Sequence, residues 1–145
     1  MTPDELRIRQ ELEVLNIAFW RDVDSNWGRN AHAFFTEDGV YTTSHKARTG
    51  HAEIRAFYAD RQSRGERVAR HLISNFHVTV HDADHATCEW TMCLYADDGV
   101  APLMSEPPIL IGAVTDECVR GADGTWRYAA RTTRALFKGS KPTTG

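Results

Sequence analysis

The chain opens with apolar residues at helical spacing. Ile8, Leu12, Leu15, Phe19 and Val23 recur at intervals of four, three, four and four. At about 100° per residue they form one stripe, the mark of an amphipathic helix facing a core. Thr2 stands where a cap belongs, with Pro3 at the first helical position and acids just behind it. The helix is expected to loosen over 24–28. A short second helix is predicted over 29–35, carrying Ala31, Phe34 and Phe35, followed by a turn over 36–39. Residues 40–43 have strand composition. Gly50 opens a third predicted helix, over 52–64, with Ile54, Phe57 and Tyr58 on its buried side and Gly65 at its end.

Beyond Gly65 the apolar period drops from near 3.6 to near 2. Strands are predicted over 68–80, 86–95, 109–120 and 125–137, with turns over 81–85 and 121–124. The longer connection 96–108, with Met104 and Pro107-Pro108, is a candidate lid. Helices followed by an antiparallel meander define an α+β fold. Strands this long in a small chain must curl. The expected form is a cone: a curved antiparallel sheet, mixed at its edge, wrapped around three N-terminal helices as an α+β barrel. Its open end would be a pocket. One domain is expected over 1–138, with a frayed tail over 139–145. The uncovered outer face of the sheet points to a homodimer or homotrimer.

Composition narrows the function. With 145 residues, 41% of them hydrophobic and 26% charged, the chain is of ordinary globular make-up. Its formal charge of −3 and scattered basic residues argue against nucleic acid. No apolar run is long enough to span a bilayer. The charged start, Met1-Thr-Pro-Asp-Glu, is not that of a secretory leader. Cys88, Cys93 and Cys118 are odd in number and lack close spacing, so no disulfide framework is expected and a cytoplasmic setting is. His77, His81 and His85 sit four apart, but on a strand end and turn rather than a helix. They read as surface histidines, and no metal or cofactor is expected.

Candidate lining residues of the pocket are Phe19, Tyr41, Tyr58, Trp90, Met92, Ile109 and Ile111, all equally at home in a packed core. Asn75 shares the parity of His71 and is a candidate hydrogen-bond donor to ligand. Arg131 is a candidate for a substrate anion, while Arg120, Arg127 and Arg134 read as surface. Trp126, after a hairpin, reads as a fold anchor.

The order of motifs adds a resemblance. The stripe Leu12…Leu15…Phe19…Val23-Asp24 leads to Phe35-Thr-Glu-Asp-Gly39 and then Gly50-x-x-x-Ile54. Arg70-His-Leu-Ile-Ser-Asn75 and Asp123-Gly-Thr-Trp-Arg127 complete the set. Together they resemble the SnoaL-like group of the nuclear-transport-factor-2-like superfamily, over most of the chain. Two enzyme branches are similar, scytalone dehydratase and hexachlorocyclohexane dehydrochlorinase. Both carry an Asp at the end of the first helix and a His on the first long strand, where this chain has Asp24 and His71. Asp22 is the rival acid, since it lies nearer the apolar stripe on an ideal helix. Phe19 stands where the dehydrochlorinase has a pocket lysine, so that stabiliser of a leaving anion is missing.

The resemblance implies an Asp24–His71 acid–base dyad. It points to a cofactor-independent lyase or isomerase acting on a small cyclic or aromatic hydrophobic substrate. A carboxylate on one ring nitrogen fixes the tautomer, and the other nitrogen takes a proton from carbon. The strand Arg70-His-Leu-Ile-Ser-Asn75 and the closing Trp126-Arg-Tyr-Ala-Ala-Arg131 also resemble the small β subunit of ring-hydroxylating dioxygenases, which is structural. A binding protein with an inert pocket is the third reading.

Overall fold

A computed structural model describes residues 1–144. The first helix, α1 (Pro3–Asn26), begins with a reciprocal cap. Thr2 Oγ1 accepts from the Glu5 N–H at 3.2 Å, and the Glu5 carboxylate accepts from the Thr2 N–H at 2.7 Å. The helix does not loosen at Asp24. It runs on to Asn26 and ends on two left-handed residues, Trp27 (φ 59°) and Gly28 (φ 67°). The Gly28 N–H closes the end on the Asp22 carbonyl at 3.1 Å. The predicted second helix is a single 3-10 turn, Ala31–Phe34. The second α-helix, α2, is Gly50–Ser63.

Gly28 also carries packing. A Cβ there would lie 2.5 Å from Cγ of Tyr58 on α2. Gly28→Ala is therefore expected to cost about 2 kcal/mol, from left-handed strain and a displaced ring. Urea unfolding checks this, and an unchanged midpoint would mean that Tyr58 moves aside freely.

Six strands form one mixed sheet: β1 (Phe35–Thr43), β2 (Lys46–Thr49), β3 (Arg67–Asp82), β4 (His85–Asp98), β5 (Leu110–Arg120) and β6 (Trp126–Lys138). Their order is β2-β1-β6-β5-β4-β3. The β1–β6 pair is parallel and the rest are antiparallel. The sheet does not close into a barrel, because β2 and β3 remain as edges. The stretch 36–39 is strand rather than turn. Gly39 sits in a bulge there, where a Cβ would meet the Phe35 Cβ at 2.9 Å and the Tyr128 carbonyl at 3.0 Å.

The helices cover one face. Alternation along β4 turns Ala86, Cys88, Trp90, Met92 and Leu94 inward to meet Ile8, Leu12, Phe19 and Trp20 of α1. Trp126 anchors the far end, its indole N–H on Glu11 at 2.9 Å. On the outer face Leu72, Cys93, Ile111 and Phe137 form one cross-strand row. Residues near the C-terminus make contacts with the domain. Arg64 and Arg67 donate to the carbonyls of Thr144 and Pro142, and Lys141 pairs with Asp97 and Glu106. No helix among the described residues is long and apolar enough to cross a membrane.

Candidate active site

β3 is a sheet edge, so its outward backbone groups need partners from elsewhere. Asp24, in the last turns of α1, supplies one. Its Oδ2 accepts the His71 backbone N–H at 3.0 Å, and its Oδ1 meets His71 Nδ1 at 2.6 Å. One carboxylate therefore fixes both the main chain and the ring of His71. Trp20, one helical turn before Asp24, stacks on the imidazole at 4.1 Å between centroids and 16° between planes. The pair is mostly sheltered, with side-chain exposures of 11% for His71 and 7% for Asp24. Asp22 does different work: it binds Asn26 and the Asn30 N–H, tying down the chain after the helix.

With Asp24 on Nδ1, that nitrogen carries the proton and donates it to the carboxylate. Nε2 keeps its lone pair. His71 and Trp20 line a cavity of about 470 Å³ on the inner face of the sheet. Val23, Phe57, Met92, Leu94 and Leu110 make it apolar, and Tyr41 and Tyr58 also line it. The Tyr58 hydroxyl donates to that of Tyr41 at 3.1 Å.

Of the lining residues expected from sequence, Tyr41, Tyr58 and Met92 face this cavity together with His71. Phe19 and Trp90 are buried beneath it in the core. Asn75 does not line this cavity. It sits in a bulge at φ 53°, so parity with His71 is lost, and it borders a groove beside α1 whose lining also includes Asp24 and His71. Ile111 pairs with Cys93 and points to the outer face. Ile109 is buried, but among Leu103, Pro107 and Lys141 rather than in the cavity.

Arg131 is wholly buried. Its Nε and Nη2 donate to the two oxygens of Asp116 at 2.6 and 2.8 Å, and Nη2 also to Asn16 Oδ1 at 2.6 Å. The rings of Tyr128 and Phe19 stand 4.1 and 4.7 Å from its Cζ. The Trp90 N–H completes the cluster on Asp116 at 2.9 Å. Burial alone would lower the Arg131 pKa, but Asp116 more than offsets this and holds it above the usual range. The guanidinium is thus a structural strut below the cavity rather than a group facing a ligand. Trp20 and Asp116 were not among the expected site residues. Asp116 had a signal, since it shares strand parity with the apolar Val114 and Cys118.

Burial raises the pKa of Tyr41, Tyr58 and Tyr128. Unfolded tyrosines ionise near pH 10. Above that pH the unfolded chain releases protons that the native chain keeps, so stability falls as pH rises. The slope from three such groups approaches about 4 kcal/mol per pH unit. Urea midpoints between pH 9 and 11 check this, and Tyr58→Phe should flatten the slope.

Among the described residues, no group of three His, Cys, Asp or Glu side chains is placed to hold a metal. His81 binds Thr87 and His85 binds Asp82. Cys88 and Cys118 are buried side by side, Sγ to Sγ 3.9 Å.

A mixed sheet with helices on one face and a pocket between them is the nuclear-transport-factor-2-like class. The profile of the SnoaL-like domain matches residues 4–132, and the chain belongs to that family. No curated protein matches it. Among solved structures, it is similar to a Novosphingobium aromaticivorans protein provisionally named scytalone dehydratase. The two are 19% identical, with 99% of this chain and 93% of the other covered and a TM-score of 0.83. A protein from the same organism, provisionally named an aromatic ring hydroxylase, is 22% identical over 94% of this chain and 93% of the other, with a TM-score of 0.78. A Nostoc punctiforme protein of unknown function with a cystatin-like fold is 21% identical over 87% and 89%, with a TM-score of 0.71. At these identities the likeness is one of fold.

Proposed function

We propose that the chain is a cofactor-independent lyase or isomerase acting on a small cyclic or aromatic hydrophobic substrate. The observation that carries this is the Asp24 carboxylate on His71 Nδ1, with the imidazole bordering an apolar cavity. Nε2 takes a proton from substrate carbon, and the electron pair moves into the adjacent carbonyl as an enolate. Asp24 stabilises the imidazolium so formed. The proton then returns at another carbon, or the enolate expels a leaving group. Tyr58 donates to Tyr41, leaving the Tyr41 hydroxyl proton for the substrate oxygen.

The name of one structural neighbour, scytalone dehydratase, is in keeping with this reading. The name of another, aromatic ring hydroxylase, fits a structural role like that of a dioxygenase small subunit. The open cavity and the oriented histidine favour the catalytic reading, since a structural subunit requires neither. The test is α-proton exchange of 2-tetralone in D₂O, followed by proton NMR. The protein is expected to accelerate exchange roughly 10²–10⁴-fold over buffer. Exchange at the buffer rate would remove the proposal.

A further inference from the structure

The inner face carries one continuous cross-strand row that begins at the dyad. His71 pairs with Leu94, Leu94 with Leu110, and Leu110 with Lys138. All four line the cavity. Directly paired residues share a face of the sheet, so the row runs base, leucine, leucine, cation. Three strand spacings of about 4.8 Å separate its ends, roughly 14 Å along the sheet. The next row inward is Met92, Gly112 and Ala135. Its small residues keep the floor low, and a Cβ on Gly112 would already meet Thr133 Cγ2 at 3.0 Å.

Among the described residues, none that lines this cavity is an aspartate or a glutamate. Lys141 nearby is held by Asp97 and Glu106. Lys138 has no such carboxylate partner among the described residues. Arg134 also borders the cavity, but it pairs with Ala113 and alternates to the outer face, so it contributes main chain rather than charge. The β1–β2 turn also borders the cavity, and there Ser44 and His45 both hold left-handed backbone, φ 51° and 64°. Neither is glycine, and such residues cost of order 1 kcal/mol each, strain that clusters at ligand-binding sites. The mouth thus combines a lysine, a histidine and threonine hydroxyls, while the body of the cavity is apolar.

We infer that the substrate is an aromatic or alicyclic carboxylic acid of about two fused rings. Its rings lie over Leu94 and Leu110, and its carboxylate is held by Lys138 at the mouth. The position of the reacting carbon at His71 rests on the proton-transfer reading; the carboxylate site does not. A cation at a half-enclosed mouth forms a charge-assisted hydrogen bond that a neutral amide cannot match.

The probes are 2-naphthoate and 2-naphthamide, which share rings and differ in charge, titrated into the full chain by calorimetry at pH 7. Naphthoate is expected to bind about tenfold tighter. Lys138→Gln is expected to bring the two within about twofold while leaving naphthamide unchanged. The preference should also shrink as salt is raised. Equal binding by the wild-type chain, a preference that survives Lys138→Gln, or no saturable binding of either probe would each overturn the inference. Binding is read without turnover. Loss of the preference would leave the dyad mechanism standing, and an inert dyad would leave the carboxylate site standing.

Discussion

Replacing His71 with alanine is expected to return 2-tetralone exchange to the buffer rate, a loss of roughly 10²–10⁴-fold. No other lining group offers a neutral lone pair with a carboxylate behind it. Asp24→Asn is expected to lose as much, for a different reason. The backbone N–H of His71 still needs an acceptor, so the asparagine oxygen turns to it. The amide NH₂ then faces Nδ1 and donates to it. That places the ring proton on Nε2, and the base is switched off with the geometry nearly intact. Both variants should still unfold cooperatively, because each side chain contributes a few kcal/mol at most. Full exchange in His71→Ala would refute the mechanism. Loss in His71→Ala with retention in Asp24→Asn would confine the carboxylate to a structural role.

The resemblance singled this pair out, since both similar enzyme branches carry an Asp at the end of the first helix and a His on the first long strand. The helical stripe ends near Asp24, and the first long strand begins just before His71. What the pattern left open was the choice between Asp22 and Asp24. Ideal helix angles favoured Asp22, yet the partner is an edge strand running beside the helix rather than beneath its apolar stripe. A side chain off the stripe is the one that reaches it.

The lining residues were legible only where strands alternate cleanly. On β4 the apolar residues fall on one face, and Met92 follows. On β5 the run Ile109-Leu-Ile-Gly-Ala-Val114 is apolar on both faces, so periodicity cannot say which side is in. The large isoleucines suggested the odd positions. The even ones face inward, with Gly112 and the polar Asp116 among them. On β3 a bulge at Asn75 resets parity within a few residues of His71. β2 is a short hydrophilic edge strand, Lys46–Thr49, and carries no periodic signal. The stretch 36–39 reads as a turn and is a strand. Thr36-Glu-Asp-Gly39 has turn chemistry, but pairing of β1 with β6 across the Gly39 bulge overrides it.

The second large effect is expected at Arg131. Arg131→Met should destabilise the fold by about 3–5 kcal/mol in urea unfolding. The reason is less the loss of an ion pair than what stays behind. Asp116 is also wholly buried, and without the guanidinium its charge is met only by the Trp90 N–H. Asn16 loses its shortest donor in the same step. If that account holds, removing the stranded charge should help. The double variant Arg131→Met, Asp116→Leu is expected to recover at least about 2 kcal/mol of the loss, since a buried pair is often replaceable by apolar groups. Recovery should be incomplete, because the Trp90 N–H loses its acceptor and Asn16 Oδ1 keeps only the longer bond from the Tyr128 hydroxyl, at 3.3 Å. The two single variants and the double one form a cycle that isolates the pair. A single-variant cost below about 1 kcal/mol would mean that water or rotamer change reaches Asp116. Function enters through Trp20, whose ring lies 5.3 Å from Arg131 on one side and stacks on His71 on the other. A shift of Trp20 in Arg131→Met should therefore slow exchange as well, lowering kcat through the base that the ring positions and raising KM through the cavity wall that it forms.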